Sequence, residues 1–110
     1  MKSYYFSIPV QDKSTNDVIF TADTDSESFI VQASWEDDAE SSSKGHWIFV
    51  IDRILDEDNT EERSIVVNPG SVYFQYDDIY SLTVYSDKDV IDRDDLKDIV
   101  LIFSIRGEEE

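Results

Sequence analysis

Several residue types are scarce in this 110-residue chain, and each absence narrows its chemistry. There is no cysteine, which excludes disulfides and thiolate catalysis. The single histidine, His46, would leave a zinc ion only carboxylates as further ligands. Three glycines form no glycine-rich phosphate loop. No apolar run approaches a signal peptide or the ~18 residues of a membrane span, so we expect synthesis without export and no membrane partner.

Basic residues are also scarce, with 9 Lys and Arg against 26 Asp and Glu and a net charge of −17. Such a surface repels phosphate backbones and attracts basic partners, so no direct nucleic-acid binding is expected. Disorder would require low hydrophobicity as well, but 40% of the residues are hydrophobic and 13% aromatic. We therefore expect one folded β-domain over residues 1–110, with 106–110 as a frayed tail.

Apolar and polar residues alternate as in β-strands along most of the chain. Residue 9 is a proline, which places the first strand at a sheet edge or ends it there. The segment 71–79 fits either an extended segment or a short helical turn, and 87–98 has room for one helical turn capped by Asp94. Strands are predicted over residues 4–10, 17–22, 28–35, 46–55, 63–67, 80–85 and 99–105.

The predicted fold is all-β, a single small antiparallel sandwich or partly closed barrel of about seven strands with acidic loops. Residues 23–27 join the second and third strands as a hairpin turn. The strand at 46–55 begins with apolar residues on both faces, which predicts a central position. The choice between sandwich and barrel stays open at this point.

The acids are grouped in runs between the strands. One group is predicted to form an acidic surface: Asp56, Glu57, Asp58, Glu61 and Glu62. Asp23, Asp25 and Glu27 begin like a calcium loop, but Ser28 and Ser34 stand where that loop needs glycine and glutamate. No metal site is predicted, and we expect the acids to lie on solvent-exposed turns.

No constellation in the sequence supports catalysis. His46 lies at a strand start, and no nucleophile motif accompanies it. Paired carboxylates for glycoside hydrolysis would need a cleft, which the pattern does not indicate. We therefore expect no enzyme, no catalytic residue and no cofactor.

Aromatic residues are denser in the segment 68–85 than a core of this size requires. Tyrosine is favoured at protein interfaces, so this segment is the predicted partner-facing surface, with partial burial as the competing interpretation. The candidate interface residues are Tyr73, Phe74, Tyr76, Tyr80 and Tyr85.

The order of signals along nearly the whole chain resembles the baseplate plug-like proteins of contractile-tailed phages. The matching segments are Ile8-Pro9-Val10, then Val18-Ile19-Phe20 with Phe29-Ile30-Val31, Trp47-Ile48-Phe49-Val50-Ile51-Asp52, Ile65-Val66-Val67-Asn68-Pro69-Gly70, and Asp94-Asp95-Leu96 leading into Ile99-Val100-Leu101-Ile102-Phe103. The chain departs from this pattern in three ways: the turn 23–27 has no glycine, the loop 36–45 is longer, and the acidity is extreme.

The resemblance implies a structural component of the tail baseplate or central hub, without catalysis. Its implied partners are other tail proteins of the hub, tube or spike, and homo-oligomerisation stays open. Its implied location is the virion, after synthesis in the host cytoplasm. An alternative from the charge alone is an acidic DNA mimic that inhibits a host DNA-binding protein or nuclease, with carboxylates in place of phosphates.

Overall fold

A computed structural model describes residues 1–9, 17–36, 45–67, 72–76, 79–86 and 93–109 of the chain. For residue 67 and for residues 72–76 and 93–95 it describes the backbone alone. These parts form eight strands and one 3-10 helix. The elements are β1 (Lys2–Ser7), β2 (Asp17–Asp23), β3 (Ser28–Glu36), β4 (His46–Ile54), β5 (Thr60–Val67), β6 (Val72–Tyr76), β7 (Tyr80–Tyr85), the helix Arg93–Asp98 and β8 (Val100–Ile105).

The strands make two four-stranded antiparallel sheets. Sheet A has the order β1-β8-β7-β6, and sheet B is a simple meander of β2-β3-β4-β5. Among the strands that the structure describes, no ladder joins one sheet to the other. The predicted all-β fold is confirmed, and of the two predicted architectures the open sandwich is the one observed.

Most local expectations for the strands agree with the structure. β1 is an edge strand and ends at Ser7, just before Ile8 and Pro9. β4 lies between β3 and β5, as its apolar character predicted. The ambiguous segment 71–79 contains the strand β6. The helical turn in 87–98 exists, but it begins at Arg93, so Asp94 lies inside it and is not its cap.

The core fills the space between the inner faces of the two sheets. Phe29 of sheet B stacks on Phe103 of sheet A, with ring centroids 4.5 Å apart, and it also meets Tyr80 at 4.8 Å. Phe6 completes the group, with its ring edge-on to Phe103 at 5.7 Å. Phe29 and Phe103 are fully buried, so this aromatic group joins the two sheets across the core.

Every second residue of the strands contributes to that core. The alternation follows from strand geometry, in which successive side chains point to opposite faces. The buried apolar residues of sheet B are Val18, Ala22, Phe29, Val31, Ala33, Trp47, Phe49, Ile51 and Ile65. Those of sheet A and its flanking segments are Ile8, Tyr80, Leu82, Val84, Leu96, Ile99, Leu101, Phe103 and Ile105.

One corner of sheet B depends on a glycine. Trp35 and Trp47 are direct cross-strand partners, and their rings meet edge-on at 5.4 Å. Gly45 enters β4 beside them with φ +136, a conformation that favours glycine. A Cβ at this position would overlap the carbonyl oxygen of Glu36 and lie 2.9 Å from the Trp35 ring. The tryptophan corner therefore requires the absence of a side chain at residue 45.

The C-terminal segment is anchored, in contrast to the frayed tail expected for residues 106–110. The backbone N–H of Arg106 donates to the carbonyl of Ile79 at 2.8 Å. The Glu108 carboxylate accepts hydrogen bonds from the hydroxyls of Tyr4 and Thr24 and from the backbone N–H of Ser26. Residue 110 lies outside the described residues. The Glu108 carboxylate ties the end of sheet A to the β2–β3 turn of sheet B.

Candidate protein-binding surface

The register of sheet B arranges its outward residues in rows across the four strands. The first row is Asp17, Ser34, Ile48 and Val66; the second is Ile19, Gln32, Val50 and Ser64; the third is Thr21, Ile30, Asp52 and Glu62. Residues from the strand ends complete the surface: Asp23, Ser28, Glu36, His46, Ile54 and Thr60. We call this surface the outer face of sheet B.

This face is rich in aliphatic side chains that the fold leaves accessible. Ile19 on β2 is 67% exposed and Val66 on β5 is 42% exposed. Four more aliphatic residues lie on β3 and β4 and are only partly buried: Ile30, Ile48, Val50 and Ile54. All six are β-branched, so their χ1 angles are restricted and the surface is stiff. A stiff apolar surface loses little side-chain entropy when something packs on it.

Acids share the outer face of sheet B with these aliphatic residues. Five carboxylates stand at outward positions: Asp17, Asp23, Glu36, Asp52 and Glu62. No lysine or arginine occupies an outward position of β2 to β5, and His46 is the only group there that could become cationic. The face is therefore both apolar and uniformly negative.

Asp52 is the most unusual member of this face. It lies between Ile30 and Glu62 in its row, so a second carboxylate stands directly opposite it on the neighbouring strand. Like charges in that arrangement destabilise a sheet. One oxygen of Asp52, Oδ1, is shielded from water and has no hydrogen-bond donor among the described residues. A shielded acceptor without a donor costs about 1–3 kcal/mol, so the fold keeps this carboxylate at a cost in stability.

The outer face of sheet A has a different composition. Its outward rows are Ser3, Ser104 and Ser81, then Tyr5, Ile102 and Thr83, then Ser7, Val100 and Tyr85. The hydroxyls of Ser3 and Ser104 are hydrogen-bonded at 2.8 Å. Tyr5 and Tyr85 are its large exposed residues, at 70% and 48%. Ile102 and Val100 are partly buried, so this face also carries apolar side chains, but none of its outward positions on β1, β7 and β8 is charged.

The predicted tyrosine-rich interface is divided by the structure. Tyr80 is only 2% exposed and packs on Phe29, so it belongs to the core and cannot contact a partner. Tyr85 is on the opposite side of β7 and is exposed. Tyr73, Phe74 and Tyr76 belong to β6, and their side chains lie outside the described residues. The prediction that Tyr80 faces a partner is wrong. A high density of tyrosines in a segment does not reveal which face of the strand each one occupies.

The predicted acidic surface is also divided. The β2–β3 turn (24–27) and the β4–β5 turn (55–59) follow from neighbouring strand ends, so both lie at one end of the sandwich, which we call the acidic end. Glu57 and Asp58 are exposed there. Asp56 instead accepts hydrogen bonds from the Asn59 side chain and the Asp58 N–H, each at 2.9 Å, and these lower the pKa of its carboxyl.

Glu61 and Glu62 alternate between the two sides of β5. Glu61 is partly buried and pairs with two arginines, 3.9 Å from Arg53 and 3.5 Å from Arg63. Arg53 is bound further by Glu27 at 3.0 Å. Glu61 is therefore part of an ion-pair network at the rim of the core, whereas Glu62 is exposed on the outer face of sheet B.

The Glu108 carboxylate has the largest change in acidity at the acidic end. Partial burial by itself would raise its pKa. Hydrogen bonds from Ser26, Tyr4 and Thr24 stabilise the ionised form more strongly and lower the pKa to about 2. Burial and the hydrogen bond to this carboxylate raise the pKa of the Tyr4 hydroxyl in turn. Glu108 acts here as a structural anchor.

No three His, Asp or Glu side chains among the described residues are grouped to hold a metal ion. None of the helices described is both long and apolar enough to cross a membrane. The acids instead form turns, ion pairs and the border of an apolar face.

Sequence reasoning missed the outer face of sheet B. The signal was present, since Ile48 and Val50 alternate with Trp47, Phe49 and Ile51. Two apolar faces on one strand predicted a central strand, which β4 is, but they also placed accessible aliphatic residues on its outer side. The missing information was the register, which places Ile48 beside Val66 and puts Ile19 in the same row as Val50.

Comparisons of this chain with protein-family models, with curated proteins and with solved structures give no match.

Proposed function

We propose that this protein is a non-catalytic assembly module that binds other proteins through the outer face of sheet B. The observation that carries the proposal is the set of six accessible β-branched residues on that face, with Ile19 67% exposed. Isolated exposed aliphatic residues are common on proteins, but a contiguous apolar surface marks an interaction site.

The form of the face favours a protein partner. Phosphate backbones and anionic membranes are repelled by its five carboxylates and by the net charge of −17. Apolar centres with polar borders are typical of protein interfaces. Ordered strands carry the residues, so binding requires little ordering of the backbone.

The setting that we propose is the phage tail baseplate or central hub, with hub, tube or spike proteins as partners. The support for this setting is the order of motifs that resembles the baseplate plug-like proteins. A small sandwich with a stiff apolar face is compatible with a part that packs beside larger tail proteins. Its location would then be the virion.

The test is co-assembly with the hub, tube and spike proteins of the same phage, measured by size-exclusion chromatography at low and high salt. The double variant Ile19→Thr/Val66→Thr removes apolar area from the outer face of sheet B. The matched control Tyr5→Thr/Tyr85→Thr removes it from the outer face of sheet A. We expect a salt-resistant complex that the first variant abolishes and the control retains.

Two outcomes would contradict the proposal. Loss of the complex in the Tyr5→Thr/Tyr85→Thr control alone would move the interface to sheet A. No complex with any tail protein, together with a salt-sensitive complex with a host nuclease or repressor, would favour the DNA mimic. The exposed acids of the acidic end, Glu57 and Asp58, support that second candidate, and its complex should require them.

A further inference from the structure

We infer that the outer face of sheet B accepts a basic amphipathic helix of its partner, with an apolar stripe bordered by lysine and arginine. This inference rests on the proposed function, because it names the partner chemistry for the same face. Three features of the face lead to it: the size of the aliphatic area, the sign of its charges and the state of Asp52.

The aliphatic area matches the apolar stripe of a short helix. The three rows that hold Ile48, Val50 and Ile30 extend ~14 Å along the strands, since residues two apart on one face are separated by ~7 Å. A helix rises ~1.5 Å per residue, so about ten residues cover this length. Such a helix presents residues at i, i+3, i+4 and i+7 to the sheet.

The charges of the face require cations on the partner. Asp17 and Asp23 stand on one edge strand, Asp52 and Glu62 lie together towards the other edge, and Glu36 ends β3. No outward lysine or arginine of the same four strands neutralises them. A second copy of this face would bring carboxylates against carboxylates, which opposes a symmetric dimer.

Asp52 and Glu62 are the specific acceptors that we assign to a cation of the partner. Oδ1 of Asp52 has no donor in the described part of the chain, and Glu62 stands directly across the ladder. A donor that arrives at the face meets the other oxygen of Asp52, because Oδ1 is shielded, and it also meets the exposed carboxylate of Glu62. An arginine can donate to both carboxylates at once, because its guanidinium carries five N–H donors in one plane.

Three designed peptides of about 18 residues, labelled with a fluorophore, test this inference against the full chain by fluorescence anisotropy. The first carries a leucine stripe bordered by lysine and arginine, and the second has the same stripe bordered by glutamate. The third has the composition of the first in a scrambled order without a stripe. We expect the first to bind at least ~10-fold more tightly than either of the others, at low and at moderate salt.

Variants of the chain locate the binding site. Ile19→Thr/Val66→Thr should weaken binding of the first peptide roughly 10-fold, because apolar contact is lost. Asp52→Asn/Glu62→Gln should weaken it about 5-fold and reduce its salt dependence. The control Glu57→Gln/Asp58→Asn removes the same charge at the acidic end and should leave binding unchanged.

Equal binding of the first and the scrambled peptides would overturn the inference, because charge alone would then suffice. An equal loss in the Glu57→Gln/Asp58→Asn control would do the same. The two proposals also fail separately. If no peptide binds but tail proteins still assemble through Ile19 and Val66, the helix is wrong and the proposed function stands. If the first peptide binds but no tail protein does, the face is a helix-binding site and the proposed setting is wrong.

Discussion

The two outer faces of the sandwich have the same place in the fold and differ most in charge. The outer face of sheet A has uncharged outward residues on β1, β7 and β8, among them Tyr5, Ile102 and Tyr85. The outer face of sheet B has six accessible isoleucine and valine residues and five carboxylates, with no outward lysine or arginine on its four strands. Strand formation does not require that difference, since threonine favours strands as β-branched aliphatic residues do. The fold alone therefore does not account for the charge of sheet B, whereas the proposed partner binding would.

The largest expected effect comes from the core on which both faces rest. Phe29→Ala removes the ring that stacks on Phe103 and contacts Tyr80, and the cavity between the sheets cannot close fully. We expect a loss of about 3–5 kcal/mol in the free energy of unfolding. Urea unfolding followed by the fluorescence of Trp35 and Trp47 measures it. A loss below about 1 kcal/mol would mean that the two sheets do not share this contact.

A smaller effect is expected at Glu108, whose carboxylate ties the C-terminal segment of sheet A to the β2–β3 turn of sheet B. Glu108 has a pKa of about 2 in the folded protein against 4.5 ordinarily, so the unfolded chain takes up the proton first as the pH falls. Its stabilising contribution is complete above pH 4.5 and is lost as the pH falls through about 2. Glu108→Gln should therefore be less stable than the wild type at neutral pH, and this difference should vanish near pH 2.

Glu109→Gln is the matched control for this anchor, because Glu109 is exposed and lies next in the chain. Thermal unfolding of the three proteins across acidic pH separates the Glu108 contribution from the general effect of protonating many acids. A stability gap for Glu108→Gln that does not change with pH would show that ionisation is not what holds the C-terminal segment.

The smallest expected effect on the free energy of unfolding comes from exposed residues of the two outer faces, and it tests directly how the faces differ. Ile19→Thr and Tyr5→Thr each change a strongly exposed residue on an edge strand, one on each face. Both should alter the free energy of unfolding by less than about 0.5 kcal/mol, measured by urea unfolding. Equal stability with unequal partner binding would assign the aliphatic face to function. A large loss for Ile19→Thr alone would instead assign that residue to the fold.

Much of the fold was predictable from periodicity. The alternation in Phe29, Val31 and Ala33 fixes the inner face of β3, and Pro9 marks the end of an edge strand. The segment of β6 stayed ambiguous because its run of apolar and aromatic residues fits more than one period. The anchoring of Glu108 was not predictable, since it depends on Tyr4, Thr24 and Ser26, which are distant in sequence.

The candidate site was less predictable than the fold. Composition identified the acids and the tyrosines as candidate site residues. Whether each of them is buried or exposed depends on the face of the strand that it occupies. Tyr80 and Tyr85 lie on opposite faces of one strand, and so do Glu61 and Glu62. Shifting a strand by one residue exchanges its faces, so an interface can be assigned only once the register is known.

The pairing of β1 with β8 has a consequence for the order of folding. Sheet B is built from β2 to β5 in sequence, so its hairpins can form while the rest of the chain is still being synthesised. β1 is made first, yet its partner β8 is made last, with Lys2 opposite Ile105. The first strand must wait for nearly the whole chain, and this high contact order predicts slow completion of sheet A. Until then the inner face of sheet B is uncovered, and the strong negative charge of the chain would keep such nascent molecules apart.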